Sequence, residues 1–276
     1  MTILLDNLCF TEGPRWRNGQ LWFSDMHDQC VCTVTPEGKK TTLLTLQDDE
    51  PSGLGWLPNG DLLVGSMRKR QLLRFDGKAL TVHADLSALA SHRCNDMVVD
   101  PLGRAYVGNF GFDLHTGEKP RSTVLIRVDP DGSAKIVDDD AFFPNGSVIT
   151  ADGRTLILAE TFARALMAFD IDTSGELSNK RIWAKLPEGA VPDGICLDAA
   201  DGIWSASPTT NECIRQTQGG EVTHRITLER GAFACMIGGD HLYVLTASSS
   251  DPKACRTNRD GRIEVYSAPY AAAGFA

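Results

Sequence analysis

Glu12-Gly13-Pro14-Arg15-Trp16, Ser52-Gly53-Leu54-Gly55-Trp56, Asn95-Asp96-Met97-Val98-Val99, Asn145-Gly146-Ser147-Val148-Ile149, Asp193-Gly194-Ile195-Cys196-Leu197 and the degenerate Ala232-Phe233-Ala234-Cys235-Met236 are six copies of one short unit. A turn follows each copy, such as Arg17-Asn18-Gly19, Pro58-Asn59-Gly60 or Ala151-Asp152-Gly153, and then a second apolar run such as Leu21-Trp22-Phe23, Leu62-Leu63-Val64 or Leu156-Ile157-Leu158. Asn-Gly and Asp-Gly between apolar runs supply the positive backbone angles of tight hairpins. A period of roughly 40 to 50 residues made of short strands and glycine-rich turns is the mark of propeller blades. The sequence therefore predicts an all-β, six-bladed β-propeller, with four-stranded antiparallel blades around a central channel.

Outer hairpins follow the same pattern, as in Gln71-Leu72-Leu73-Arg74-Phe75-Asp76-Gly77. Residues 2–7 are left over before the first copy, and the last unit ends in Arg262-Ile263-Glu264-Val265-Tyr266. Pairing of these two segments would close the ring and leave no blade edge free. Regular repeats without a Ser- or Pro-rich linker predict one domain over residues 1–276.

A net charge of -9 argues against nucleic acid and anionic membrane as partners. Arg68-Lys69-Arg70 is the one basic cluster, and it reads as a solvated loop. With no secretion-like N-terminus and no long apolar stretch, the expectation is a cytoplasmic protein, monomeric or weakly homo-oligomeric. The eight cysteines contain no Cys-x-x-Cys pair, so reduced thiols are expected, with Cys94 set apart by its neighbour Asn95. The six histidines, including His27, His92 and His115, show no metal spacing and read as surface or loop residues, although His92 and His115 stand close enough to the repeat motifs to reach a pocket. Trp16, Trp56, Trp204 and Phe233 read as packing between blades. No glycine-rich phosphate loop and no Gly-x-Ser-x-Gly elbow is present, so neither a nucleotide cofactor nor a serine nucleophile is expected.

The chemistry lies at the first residue of each copy: Glu12, Ser52, Asn95, Asn145, Asp193 and Ala232. Innermost strands line a propeller's channel, so equivalent positions of different blades converge on the axis. Two carboxylates and two carboxamides there form an oxygen-rich cage suited to a hard divalent cation. Any one of these residues alone could instead be an ordinary turn or capping residue.

Glu12-Gly13-Pro14, Arg93-Cys94-Asn95-Asp96 followed by Val99-Asp100-Pro101-Leu102-Gly103-Arg104, Phe143-Pro144-Asn145-Gly146 and Pro192-Asp193-Gly194 resemble, in order, the motifs of the gluconolactonase, regucalcin and luciferin-regenerating-enzyme family of six-bladed propellers. The resemblance implies a divalent cation (Ca, Mg, Mn, Fe(II) or Zn) held by Glu12, Asn145 and Asp193. It implies substrate contacts from Arg93, Asn95 and Asp113, with Asp193 as the base that activates water, and hydrolysis of a small-molecule lactone, most naturally a sugar-acid lactone such as an aldonolactone. Met26, Phe110 and Phe112 near these motifs leave a less polar or aromatic lactone open. Aryl esters and phosphotriesters at the same site, and a non-catalytic metal- or protein-binding propeller, are the competing readings.

Overall fold

Six four-stranded antiparallel sheets form the ring that the six copies predict, in a computed structural model that describes residues 1–114 and 116–276. The first blade comprises Thr11–Arg17, Gln20–Asp25, Cys30–Val34 and Lys40–Thr45. The second comprises Pro51–Trp56, Leu62–Ser66, Gln71–Phe75 and Leu80–Asp85, and the third Cys94–Val99, Ala105–Asn109, Thr123–Val128 and Ala134–Ala141. Pro144–Ile149, Thr155–Glu160, Ala165–Ile171 and Leu177–Lys185 make the fourth, and Ile195–Leu197, Ile203–Ser207, Glu212–Gln216 and Val222–Thr227 the fifth. The sixth takes Gly231–Gly238, His241–Ala247 and Gly261–Ser267 from the C-terminal part of the chain and Thr2–Leu8 from the N-terminal part. Thr2 lies opposite Val265 and Leu8 opposite Gly261, so the predicted closure is present.

The first strand of each blade contacts the first strands of both neighbours and lines the axis. Glycine permits that approach. A Cβ on Gly146 would sit 2.5 Å from the backbone nitrogen of Ile195 in the next blade, and one on Gly194 would sit 2.7 Å from Cα of Ala234. Gly146 and Gly194 are therefore there for blade-to-blade contact rather than for a turn, whereas the Asn18-Gly19 hairpin does use positive φ, 53° and 73°.

Aromatic side chains fill the seams between blades. Trp16 stacks on Tyr243 across the first and sixth blades, and Trp22 meets Trp56 edge-on across the first and second. All eight cysteines are free and buried. Cys94 is fully buried in an apolar cluster with its thiol pushed up to about 12 by burial. At one end of the channel, backbone bonds of 2.8 Å between Phe275 and Ile149 lay residues 271–276 across the fourth and fifth blades.

Candidate active site

The repeat's polar residue coincides with a break in strand pairing. Register shifts fall between Glu12 and Arg15, Pro51 and Leu54, Cys94 and Met97, Pro144 and Ser147, and Ala232 and Ala234. In the fifth blade pairing begins only at Ile195, after Asp193. A bulge leaves an unpaired residue and re-aims its side chain. Here it does so around the mouth of the channel.

A cavity of about 240 Å³ opens there, and Glu12, Asn95, Asn145 and Asp193 all line it. Four residues from four blades thus meet, as the repeat argument requires. Asn145 Nδ2 donates to Asp193 Oδ1 and to Thr161 Oγ1 (3.3 Å), and Thr161 Oγ1 donates to Pro192 O (2.9 Å). The amide of Asn95 donates to Pro144 O at 3.1 Å. Ser52 serves structure instead, its hydroxyl donating to Asn95 O at 2.7 Å.

Burial dominates the electrostatics of the floor. It raises Glu12 well above the usual carboxylate range, helped by the charges of Asp193 and Asp96. Asp193 is pushed up to about 8 by burial and Asp96, against the hydrogen bond from Asn145. Arg15, the cation near Glu12, is taken by Asp96 (2.8 Å) and by the carbonyls of Pro14 and Met97. Two carboxylates beside two carboxamides, whose side-chain oxygens no protein donor occupies among the described residues, with the nearby arginine already engaged, are a donor set that fits a hard divalent cation. Among the described residues no three His, Cys, Asp or Glu side chains are arranged to hold an ion, so such a cation would depend on Asn145 and Asn95 as well as on the carboxylates.

The walls come from two sources. Residues two places before the repeat position, in the segments that lead into the inner strands, bring Phe10, Arg93, Phe143 and Val191 to the cavity beside Glu12, Asn95, Asn145 and Asp193. Loops after the second strand of each blade supply Met26, His27, Met67, Phe110, Thr161, Phe162, Pro208, Thr209 and Ser250. Phe233 completes the wall and packs edge-on against Phe10. It is thus part of the pocket as well as of the packing. Met26 and Phe110 rim the pocket as expected, whereas Phe112 is buried behind it against Phe143 and Phe162.

Arg93 lines the cavity and donates through Nη1 to Glu50 Oε2 at 2.9 Å. Glu50 also accepts from His27 Nδ1 (3.0 Å), Arg68 Nη2 and Nε (2.8 and 3.0 Å) and Arg256 Nη2 (3.3 Å). Burial opposes ionisation of Glu50, but the hydrogen bonds and charges of His27 and Arg68 prevail and hold it down at about 2. Two sequence expectations give way here. His27 is 4 % exposed, stacked on Phe10 and hydrogen-bonded at both ring nitrogens, not a surface residue. Arg68 lies in an exposed turn as expected but is tied to Glu50 rather than simply solvated. Asp113 is outside the cavity lining, in a loop where its amide donates to Glu118 at 2.7 Å and its carboxylate lies 3.8 Å from His92. His115 lies outside the described residues.

This geometry has relatives. The sequence matches the SMP-30/gluconolactonase/LRE-like region over residues 10–248. The chain belongs to that family. Among curated relatives of the family, regucalcin of Xenopus laevis is 26% identical over 250 residues, 87% of this chain and 83% of that protein. Pentonolactonase XacC of Haloferax volcanii is 34% identical over 116 residues, 41% of this chain and 38% of that protein. Two solved family folds superpose closely. A luciferin-regenerating enzyme does so with a TM-score of 0.83 and 21% identity, over 98% of this chain and 96% of that one. A calcium-binding regucalcin of Agrobacterium tumefaciens gives 0.80 and 21%, over 99% and 94%. The family and its lactonase members support a hydrolase of cyclic esters.

Proposed function

We propose that this chain is a divalent-cation-dependent lactonase, with the cation held by Glu12, Asn145 and Asp193. The observation that carries the reading is the meeting of these side chains, from three blades, at the floor of one largely apolar cavity. A bound divalent cation would supply Lewis-acid polarisation of the lactone carbonyl and lower the pKa of attacking water. Asp193 takes the proton as water adds to the acyl carbon and returns it to the ring oxygen as the acyl–oxygen bond breaks, leaving a hydroxy acid. Asn95 and Arg93 orient the substrate through neutral and charge-assisted hydrogen bonds. The phenylalanine and methionine walls hold bulk water away from the reacting centre.

Those walls also bear on the substrate. An aldonolactone carries a hydroxyl on nearly every ring carbon and needs polar partners around it, whereas Phe10, Met26, Met67, Phe110, Phe143, Phe162 and Phe233 offer none. The lining therefore favours the less polar or aromatic lactone over the sugar-acid lactone. Initial rates on an aryl- or alkyl-substituted lactone, an aldonolactone, an aryl ester and a phosphotriester test this directly. The substituted lactone is expected to give the highest kcat/KM. Turnover of the phosphotriester or aryl ester alone would refute the lactonase reading, and no turnover of any of the four would favour a binding propeller.

A further inference from the structure

One buried carboxylate, bound to the cavity-lining Arg93 and His27, is shared by more cationic side chains than it can neutralise alone. The Glu50 side chain is 0% exposed and receives hydrogen bonds from Arg68, Arg93, Arg256 and His27, five in all, against the roughly four lone-pair directions a carboxylate offers. The neighbouring Asp49 is also buried, its oxygens taken by the Ser66 hydroxyl and by the amides of Glu50 and Arg68. Asp49 and the exposed Asp48 also act on Arg68, so three carboxylates face three guanidinium groups and the cluster as a whole is about neutral, while Glu50 alone is shared by all three arginines. Both ring nitrogens of His27 face acceptor oxygens, Glu50 Oε1 at 3.0 Å and Ser250 O at 3.2 Å, so His27 offers the arginines no acceptor of its own. Asp28, close by in sequence, is matched separately by Arg259 at 2.6 and 2.8 Å.

A cluster serving the fold alone would need one arginine to balance one glutamate. Here three arginines share that glutamate, and one of them, Arg93, lines the cavity. Arg93 is the member on the wall, and among the described residues it spends only Nη1 on the protein, leaving its other N–H groups for a ligand. Arg68 and Arg256 draw on the same carboxylate from the solvent-exposed side, so Glu50 cannot neutralise Arg93 by itself. A planar guanidinium edge beside an apolar wall matches a planar carboxylate attached to an apolar body.

We propose that the ligand of this cavity carries a carboxylate, separate from the ester that reacts, bound by the N–H groups of Arg93 that the shared Glu50 leaves unspent. This names the substrate class within the lactonase reading and rests on it: a carboxylated lactone with an apolar body. Arg93 is then a specificity-determining residue whose partner is an anion rather than a ring hydroxyl.

The test separates recognition from chemistry. Lactams with the same apolar body, bearing a carboxylate, its methyl ester or a phosphate, resist ring opening, and calorimetry measures their binding to the cation-loaded full chain. The carboxylate is expected to bind about tenfold to a hundredfold tighter than the methyl ester, the range of a charge-assisted hydrogen bond, with the margin shrinking as salt is raised. Arg93→Gln should abolish that margin, and Arg256→Gln should narrow it severalfold. Equal binding of acid and methyl ester to the unmodified protein, a comparison that needs no variant, would overturn the proposal, and so would a preference for the phosphate. The matching lactones then report on the other claim. If the lactam margin holds while neither lactone is opened, lactone hydrolysis fails and anion recognition stands; if both lactones are opened at equal kcat/KM and the lactams bind equally, the reverse is true.

Discussion

Glu50→Gln removes one negative charge and almost no volume from the point where three arginines and His27 meet. Two routes give the size of the effect. The carboxyl is held at about 2 against an ordinary 4.5, and at ~1.4 kcal/mol per pH unit the gap is worth about 3 kcal/mol of folding stability. Breaking a buried ion pair by removing one partner typically costs about 3–5 kcal/mol, and here the lower end applies, because Arg68 and Arg256 are 39% and 44% exposed and can turn to water. A loss of roughly 2–3 kcal/mol at pH 7 is the expectation. The sign follows from a depressed carboxyl: its contribution is complete above about 4.5 and disappears as pH falls towards 2. Urea unfolding of wild type and Glu50→Gln at pH 7 and pH 3 measures both. The difference should be large at pH 7 and much reduced at pH 3. A difference below ~0.5 kcal/mol at pH 7, or one that grows on acidification, would refute this account of Glu50.

Asp193→Asn keeps an oxygen for Asn145 to donate to but cannot accept a proton, so kcat should fall by at least ~100-fold and raised cation concentration should not restore it. Asn145→Ala should act through cation affinity, and a titration of rate against cation should recover most of its activity; the opposite pattern would remove Asp193 from the role of base. In the cation-free protein Asp193 retains its proton until about 8, so stability should decline as pH rises from about 4 towards 8, and a divalent cation should raise Tm more at pH 8 than at pH 5. Equal shifts at the two pH values would count against buried carboxylates as the ligands.

The ring and the floor of its cavity were legible for the same reason. A repeat puts equivalent residues at equivalent points, so Glu12, Asn95, Asn145 and Asp193 could be brought together without any knowledge of distance. The walls obey the same repeat, displaced by two: Phe10, Arg93, Phe143 and Val191 each stand two residues before a floor residue, in the segment that leads into the inner strand. Glu50 stands in that place in the second blade, two before Ser52, yet its partners are spread from His27 to Arg256. His27 and Arg256 come from a 3-10 turn, Met26–Asp28, and a short helix, Pro252–Asn258, that obey no blade pattern, and charge pairing across 206 residues leaves no periodic trace. Gly146 and Gly194 follow the repeat's polar residue at the channel, where their missing Cβ admits the neighbouring blade, a distance that no sequence pattern states.

The most direct measurement is the rate of lactone hydrolysis through one cycle of exhaustive chelation and stepwise return of Ca, Mg, Mn, Fe(II) or Zn, with cation binding followed on the same samples by calorimetry. Three protein ligands leave coordination positions open to solvent or substrate, so the cation should exchange. Activity should vanish on chelation and return in proportion to one bound cation per chain, and Glu12→Gln and Asp193→Asn should weaken that binding. Full activity after chelation, with no cation bound on return, would contradict the account.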